Sequence, residues 1–534
     1  MLTLPLEPTD DRATPAFKDR AGCTQWLGQL QLTNLQQAQH ALRSQLDELN
    51  RYPMRALERM QVLELLGETV AHVQHDFARR LVAKALPLNT AELAVLESLA
   101  ALWQGMVTGY QRCLQSYVAG DRQVAAHGAL FCHRCLHYCG RQILEYLQAG
   151  YEFDGALWQQ LHTLYAFAEE QELHLLEVDN EPATGIAGQS HCRTVYLKLL
   201  LICHAHPFEL SRNQLNLLDR WLTKWQDSLS LERHCTRSRG EAQPLAVDFD
   251  SSLGLQPLSQ DATGRLRYLP MVPLSKLLRV KTILLQQGQS PQQLELEGCG
   301  KAEDCAEFLT MLHRNWCETP SERRVLRSSA GQEVHACYEL ESIYSHITQK
   351  PFRSKRRSDS SINMARSQIA TFGRTLSDTG KHHDLAALGY PRETWTVDSG
   401  NLLGALLVRE EEAEARLATK QLIATFVDDT NCTLATVNWL DVDRTGRLHA
   451  SIRYLPGAPE AVLATTQEVS GAAALLLPPM PDLRIPASLI LPRNQFQPGG
   501  QLELTLRDGK KKKIKMGISV EKGGNYERIS FSEV

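Results

Sequence analysis

The chain has 534 residues, of which 43% are hydrophobic and 22% charged. That balance excludes an intrinsically disordered chain and allows about three or four domains. Lys and Arg total 57, Asp and Glu 61, giving a net charge of −4, which excludes a general polycation that coats nucleic acid but permits a local basic site. No apolar run reaches the roughly 18 residues that span a bilayer. The opening MLTLPLEPTDDR lacks the basic and apolar regions of a signal peptide. A cytoplasmic protein with no membrane span is expected, and its 13 cysteines are expected as reduced thiols.

In chain order, residues 1–22 are rich in Pro and Asp and predict a loose arm. Residues 23–232 predict an all-α region. In the stretch from Met54 to Ala85, for example, Leu57, Met60, Leu63, Leu66, Val70 and Val73 recur at helical steps. No fixed-period repeat emerges, so a helical bundle or an array of helical pairs is expected. Residues 233–265 are polar and turn-rich and predict a linker with short extended pieces such as Leu245 to Phe249. Residues 266–317 return to helix and lead to the last region.

Residues 318–534 predict a β region. It contains a polar insertion at about 352–385, rich in Ser, Arg and Lys. Strand-like runs follow at Thr394–Val408, 421–427, 433–440, 448–454, 473–477, 488–491, 501–506, 512–518 and 526–531. Turn residues such as Asp508-Gly509 and Gly523-Gly524 separate them. Many short strands at this spacing indicate an antiparallel barrel or sandwich.

The one cluster with metal-like spacing is His127, Cys132, His133, Cys135, His137 and Cys139. The three cysteines recur at i, i+3 and i+7 of an amphipathic helix, the pattern of a core face, and no second Cys/His pair follows. No metal is expected. No phosphate loop, dinucleotide fingerprint, zincin or nucleophile-elbow motif is present, so an enzyme is not expected.

One basic segment stands out. Ser321-Glu322-Arg323-Arg324-Val325-Leu326-Arg327 lies ahead of the β region, and a guanidinium can both grip phosphate and stack on a purine. This segment, TWTVDSGNLLGALLV and the later TLATVNWLDVDRTGRLHASIRYL resemble PilZ-domain proteins. Helical stretches such as RCLHYCGRQILEYLQAGYEFDGALWQQLHTLYAFAE are similar to the long bacterial members that place a helical region before the PilZ domain.

The resemblance implies a six-stranded barrel that binds cyclic di-GMP through an RxxxR segment and a [D/N]xSxxG strand. Arg323, Arg324 and Arg327 match the first element. With the closing glycine at Gly404, the second element falls on Ser399 and Asn401, and Asp398 is displaced by one position. The two elements lie far apart, with the polar insertion between them, so Arg353, Lys355, Arg356 and Arg357 form an alternative or additional basic contact.

Three readings follow. The first is a cyclic di-GMP-responsive effector whose barrel senses the nucleotide and whose helical region recruits a protein partner, with no cofactor beyond that regulatory ligand. The second is a degenerate PilZ-like adaptor that works by protein contacts alone. The third, nucleic-acid binding, rests on the 353–357 cluster and the lysines of 510–515, and is the weakest because lysines on a strand edge commonly guard against aggregation.

Overall fold

The computed structural model describes residues 4, 6, 8–179, 188–235, 242–258, 264–318, 331–352, 385–410, 415–428, 431–465 and 471–534. The chain divides into two compact units, one of residues 1–84 and 88–323, the other of residues 85–87 and 324–534. Among the described residues no helix is long and apolar enough to cross a membrane.

The first unit is the helical region. Its helices are α1 (Arg20–Gln29), α2 (Leu35–Arg51), α3 (Ala56–Ala78), α4 (Thr90–Val118), α5 (Gly128–Ala149), α6 (Gly155–Glu170), α7 (Cys192–His204), α8 (Arg212–Lys224), α9 (Val272–Gln286) and α10 (Ala302–Cys317). Side-chain caps begin several of them. Asn89 and Glu92 form a capping box on α4, and Ser211 and Gln214 form one on α8, satisfying backbone donors that a helix start leaves open. Strands β1 (Val178–Asp179) and β2 (Gln189–Ser190) pair beside α5.

The stretch expected as a linker contributes to the core of this unit. Strands β3 (Leu245–Asp248), β4 (Gln256–Pro257) and β5 (Leu266–Leu269) form a small sheet in the order β4-β3-β5. It carries Val247, Phe249, Leu255 and Leu269 into the helical core. Phe249 meets Tyr165 and Tyr196 edge-on, and those two rings stack at 4.2 Å. Helices α9 and α10 belong to the same core through Leu274, Leu278, Phe308 and Trp316. A polar, turn-rich composition hid a few well-spaced apolar side chains that packing then used.

The second unit holds two closed antiparallel barrels, where the sequence pointed to a single barrel region. The first runs from β6 (Glu333–Cys337) through β7 (Glu393–Asn401), β8 (Gly404–Arg409), β9 (Leu422–Phe426) and β10 (Cys432–Val442) to β11 (Leu448–Tyr454). Its strand order is β10-β11-β8-β7-β6-β9, closed on itself. The second uses β12 (Glu460–Thr465), β13 (Ala472–Leu477), β14 (Ser488–Pro492), β15 (Gln501–Thr505), β16 (Lys511–Lys522) and β17 (Tyr526–Glu533), in the order β12-β13-β14-β17-β16-β15. Gly509, at φ 83°, makes the tight reversal between β15 and β16. Leu86 also belongs to this unit and bridges Leu417.

Helix α11 (Leu340–Thr348) follows β6. Its Leu340 and Ile343 share one apolar cluster with Leu422, Phe426 and Leu434 of the first barrel and Ala473, Leu475, Ile490 and Tyr526 of the second. Phe352 and Leu385, which flank the polar insertion, lie in this same cluster. Tyr390 donates its hydroxyl to the Phe352 carbonyl at 3.0 Å. The insertion's own residues 353–384 lie outside the described residues.

Candidate ligand-binding site

The pairing of β7 with β8 contains a bulge. Val397 faces Leu407, the next pair is Ser399 with Leu406, and Asp398 is the extra residue between them. A bulge places two residues of one strand opposite one of its partner, leaves the extra residue unpaired and bends the strand. Val397 is buried, Asp398 exposed and Ser399 half-buried. The acidic group that stood one position out of register in the motif is thus the exposed residue at the bulge, next to Ser399.

The hairpin turn is held by Asn401, whose Oδ1 accepts from the backbone N–H groups of Leu403 and Gly404 at 2.8 and 3.1 Å. This local bonding is characteristic of Asn in turns. Between them Leu402 and Leu403 are 88% and 77% exposed. Gly404 is there for space. A Cβ on it would lie 2.1 Å from the Ile452 carbonyl oxygen of β11, a distance no side chain tolerates.

The chain enters the barrel beside this bulge. Gly331 N–H donates to the Val397 carbonyl at 2.8 Å, and Val397 N–H donates to Gln332 at 2.9 Å. The residues just after the basic segment are thus stitched to the strand position that precedes Asp398.

Behind this wall lies a buried polar network. The Arg409 side chain, 2% exposed, pairs with Glu393 at 2.9 Å and donates to the Ala415 carbonyl. Glu393 also accepts from Tyr338 in a short hydrogen bond, and Trp395 Nε1 donates to the Tyr338 hydroxyl at 2.8 Å. Burial, and then the Glu393 carboxylate, push the Tyr338 phenol well above its ordinary value. It remains a donor. The ion pair ties β7 to β8.

Of the residues singled out from the sequence, the structure brings Ser399, Asn401 and Gly404 together at one hairpin. Arg323, Arg324, Arg327, Arg353, Lys355, Arg356 and Arg357 lie outside the described residues. Sequence reading missed the role of the bulge, which pairing alone reveals, and the stitch at Gly331. Cys132, Cys135 and Cys139 are fully buried in the helical core. Among the described residues no group of His, Cys, Asp and Glu could hold a metal ion.

The lysine-rich strand is not an edge, because β16 lies between β15 and β17 in a closed barrel. Its Lys511 pairs with Glu503 and Lys512 with Glu533, at 2.8 and 2.9 Å. Acidic neighbours therefore offset these lysines, which weakens them as a phosphate-binding stripe.

Two family models match this architecture. The N-terminal domain of the cyclic-di-GMP receptor FimW matches residues 20–236, in the helical unit. The FimW C-terminal β-barrel domain matches residues 462–534, the second barrel. Both FimW domain models thus match parts of the chain. It is also 22% identical to the cyclic-di-GMP receptor FimW of Pseudomonas aeruginosa, over 95% of this chain and 89% of that relative. The first barrel and its bulged hairpin lie between the two FimW matches, in the stretch that resembles PilZ.

Proposed function

We propose that this protein is a cyclic di-GMP-responsive effector, with the nucleotide held on the outer wall of the first barrel. Asp398 and Ser399 face the guanine edge, with the Asp398 carboxylate accepting from guanine N–H donors. Arg323, Arg324 and Arg327 grip the phosphates and stack on the bases, with the 353–357 cluster as a further basic contact.

The observation that carries this reading is the stitch between Gly331 and Val397. Arg327 is four residues ahead of Gly331, and four extended residues span about 14 Å, so covalent geometry alone keeps the basic segment within reach of the bulge. The FimW relative, a cyclic-di-GMP receptor, supports the same ligand.

The division between the two units falls at Arg323 and Arg324. Nucleotide binding at the barrel is relayed to the helical unit. A protein partner of the helical unit reads the change, within the cytoplasm.

The test is titration calorimetry of the full chain with cyclic di-GMP, beside Arg323→Ala/Arg327→Ala and Asp398→Ala. Binding that both variants weaken establishes the site. Binding that only Asp398→Ala weakens moves the phosphate grip to Arg353–Arg357. No binding refutes the sensor and leaves the adaptor reading, in which the hairpin with its exposed Leu402 and Leu403 is a protein contact.

A further inference from the structure

The helical unit contains a second, unrelated site. A cavity of about 620 Å³ opens between α3, α5, α7 and α8, a volume suited to a small metabolite. His133, His137 and Arg141 face it from one stripe of α5, at i, i+4 and i+8, while Lys198 comes from α7 and Asp219 and Arg220 from α8. The cysteines of the same helix point the other way, into the core.

His133 is the informative residue. It is 2% exposed, and its Nδ1 lies 3.3 Å from the Arg134 guanidinium. Arginine can only donate, so Nδ1 accepts and the neutral ring carries its proton on Nε2. Arg134 is not free to turn away, because Glu64 holds it in a two-pronged ion pair at 2.9 Å on each arm. Among the described residues the buried His133 Nε2 has no hydrogen-bond partner. A buried donor without an acceptor is costly, and native proteins rarely keep one without a use.

The surrounding charge favours an anion. Lys198 pairs with Asp219 at 2.9 Å. Arg141, in contrast, lies over the Trp103 ring at 5.5 Å and forms no ion pair within 4 Å among the described residues, although the Glu145 and Asp219 carboxylates feel its charge. With Arg220, three cations line the cavity against Asp219 and the exposed Glu68. Burial, with Arg134, His137 and Lys198 close by, holds the His133 ring well below its ordinary pKa, so it meets a ligand as a neutral N–H donor.

We infer that this cavity binds a small organic anion, whose phosphate or carboxylate oxygens accept from His133 Nε2–H and pair with Arg141. Leu144, Val195 and Leu199 on its wall provide an apolar surface for the rest of the molecule.

The experiment uses the full chain, with thermal-shift and calorimetric titrations of GMP, inorganic phosphate and succinate at matched ionic strength. A saturable response to GMP or phosphate alone assigns a phosphate ligand, and a response to succinate alone assigns a carboxylate. In either case Arg141→Gln and His133→Phe each weaken binding roughly tenfold or more, as expected for a charge-assisted hydrogen bond. Arg323→Ala/Arg327→Ala leaves it unchanged, which separates this site from the barrel. No saturable response to any probe at millimolar concentration overturns the inference, and so does binding that the partly exposed Arg141→Gln variant retains in full.

Discussion

Ser399 pairs with Leu406 two residues after Val397 pairs with Leu407, so β7 carries one residue more than β8 and Asp398 is left at the bulge. That places an exposed carboxylate next to the position where the motif would have its acidic or Asn residue. Replacing Asp398 with Ala is expected to weaken cyclic di-GMP binding about tenfold or more, the weight of a hydrogen bond to a charged group. Ser399→Ala is expected to cost less. Calorimetry on both variants checks this, and an unchanged affinity for Asp398→Ala removes the carboxylate from the site.

Gly404→Ala is expected to destabilise the barrel unit. Its Cβ would meet the Ile452 carbonyl oxygen at 2.1 Å, so β8 or β11 must move. Overpacking of this kind costs about 1–3 kcal/mol. Urea unfolding should show the loss, and nucleotide binding should fall with it, since Gly404 closes the turn that Asn401 holds.

Arg409→Met is expected to cost more, about 3–5 kcal/mol, because it strands the Glu393 carboxylate against the Tyr338 hydroxyl without its cation. The double variant Glu393→Gln/Arg409→Met should recover much of that loss. Chemical denaturation of these two variants and of Glu393→Gln alone measures the coupling, and simple additivity would show that the pair contributes nothing as a pair.

The helical unit is expected to lose stability as pH falls below about 6.5, the ordinary histidine value. Burial holds His133 and His162 below that value in the folded chain. Between the folded and unfolded pKa values the unfolded chain binds more protons, so stability is complete above the window and declines with acidification. Each such histidine contributes up to about 1.4 kcal/mol per pH unit within it. Thermal unfolding between neutral and mildly acidic pH checks the direction, and a flat profile for His133→Phe relative to wild type would identify one source.

The thiols of α5 are expected to be inert. Burial pushes Cys132 up to about 12 and raises Cys135 and Cys139 further, so little thiolate exists at neutral pH. A thiol reagent should label them only after unfolding, and a chelator should leave the melting temperature unchanged.

Much of this was visible in the sequence. Helical periodicity marked the first unit, and strands such as β9, β11 and β17 were read within a residue or two, because turn residues and apolar runs are local signals. The second closure was not visible. β6 and β12 are short, with β6 followed at once by α11, and whether strands close into one barrel or two depends on pairings between distant residues. For the same reason, spacing along the chain showed Asp398 as displaced and could not show the bulge at which it sits. The cavity beside α5 was half visible. The sequence drew attention to His133 and His137 through their cysteine neighbours, but only the packing shows that histidines and cysteines occupy opposite faces.

The apolar cluster around α11 makes the two barrels one folding body. The FimW C-terminal match begins at residue 462, which invites a cut just ahead of β12. Such a cut would strip Ala473, Leu475, Ile490 and Tyr526 of the partners they have in Ile343, Leu422 and Phe426. Each fragment would then bare a greasy flank that the intact chain never shows to water, and each would tend to clump. The boundary written in the sequence is thus not a seam in the fold. The same continuity means that the second barrel keeps part of its buried surface only while the first is folded beside it.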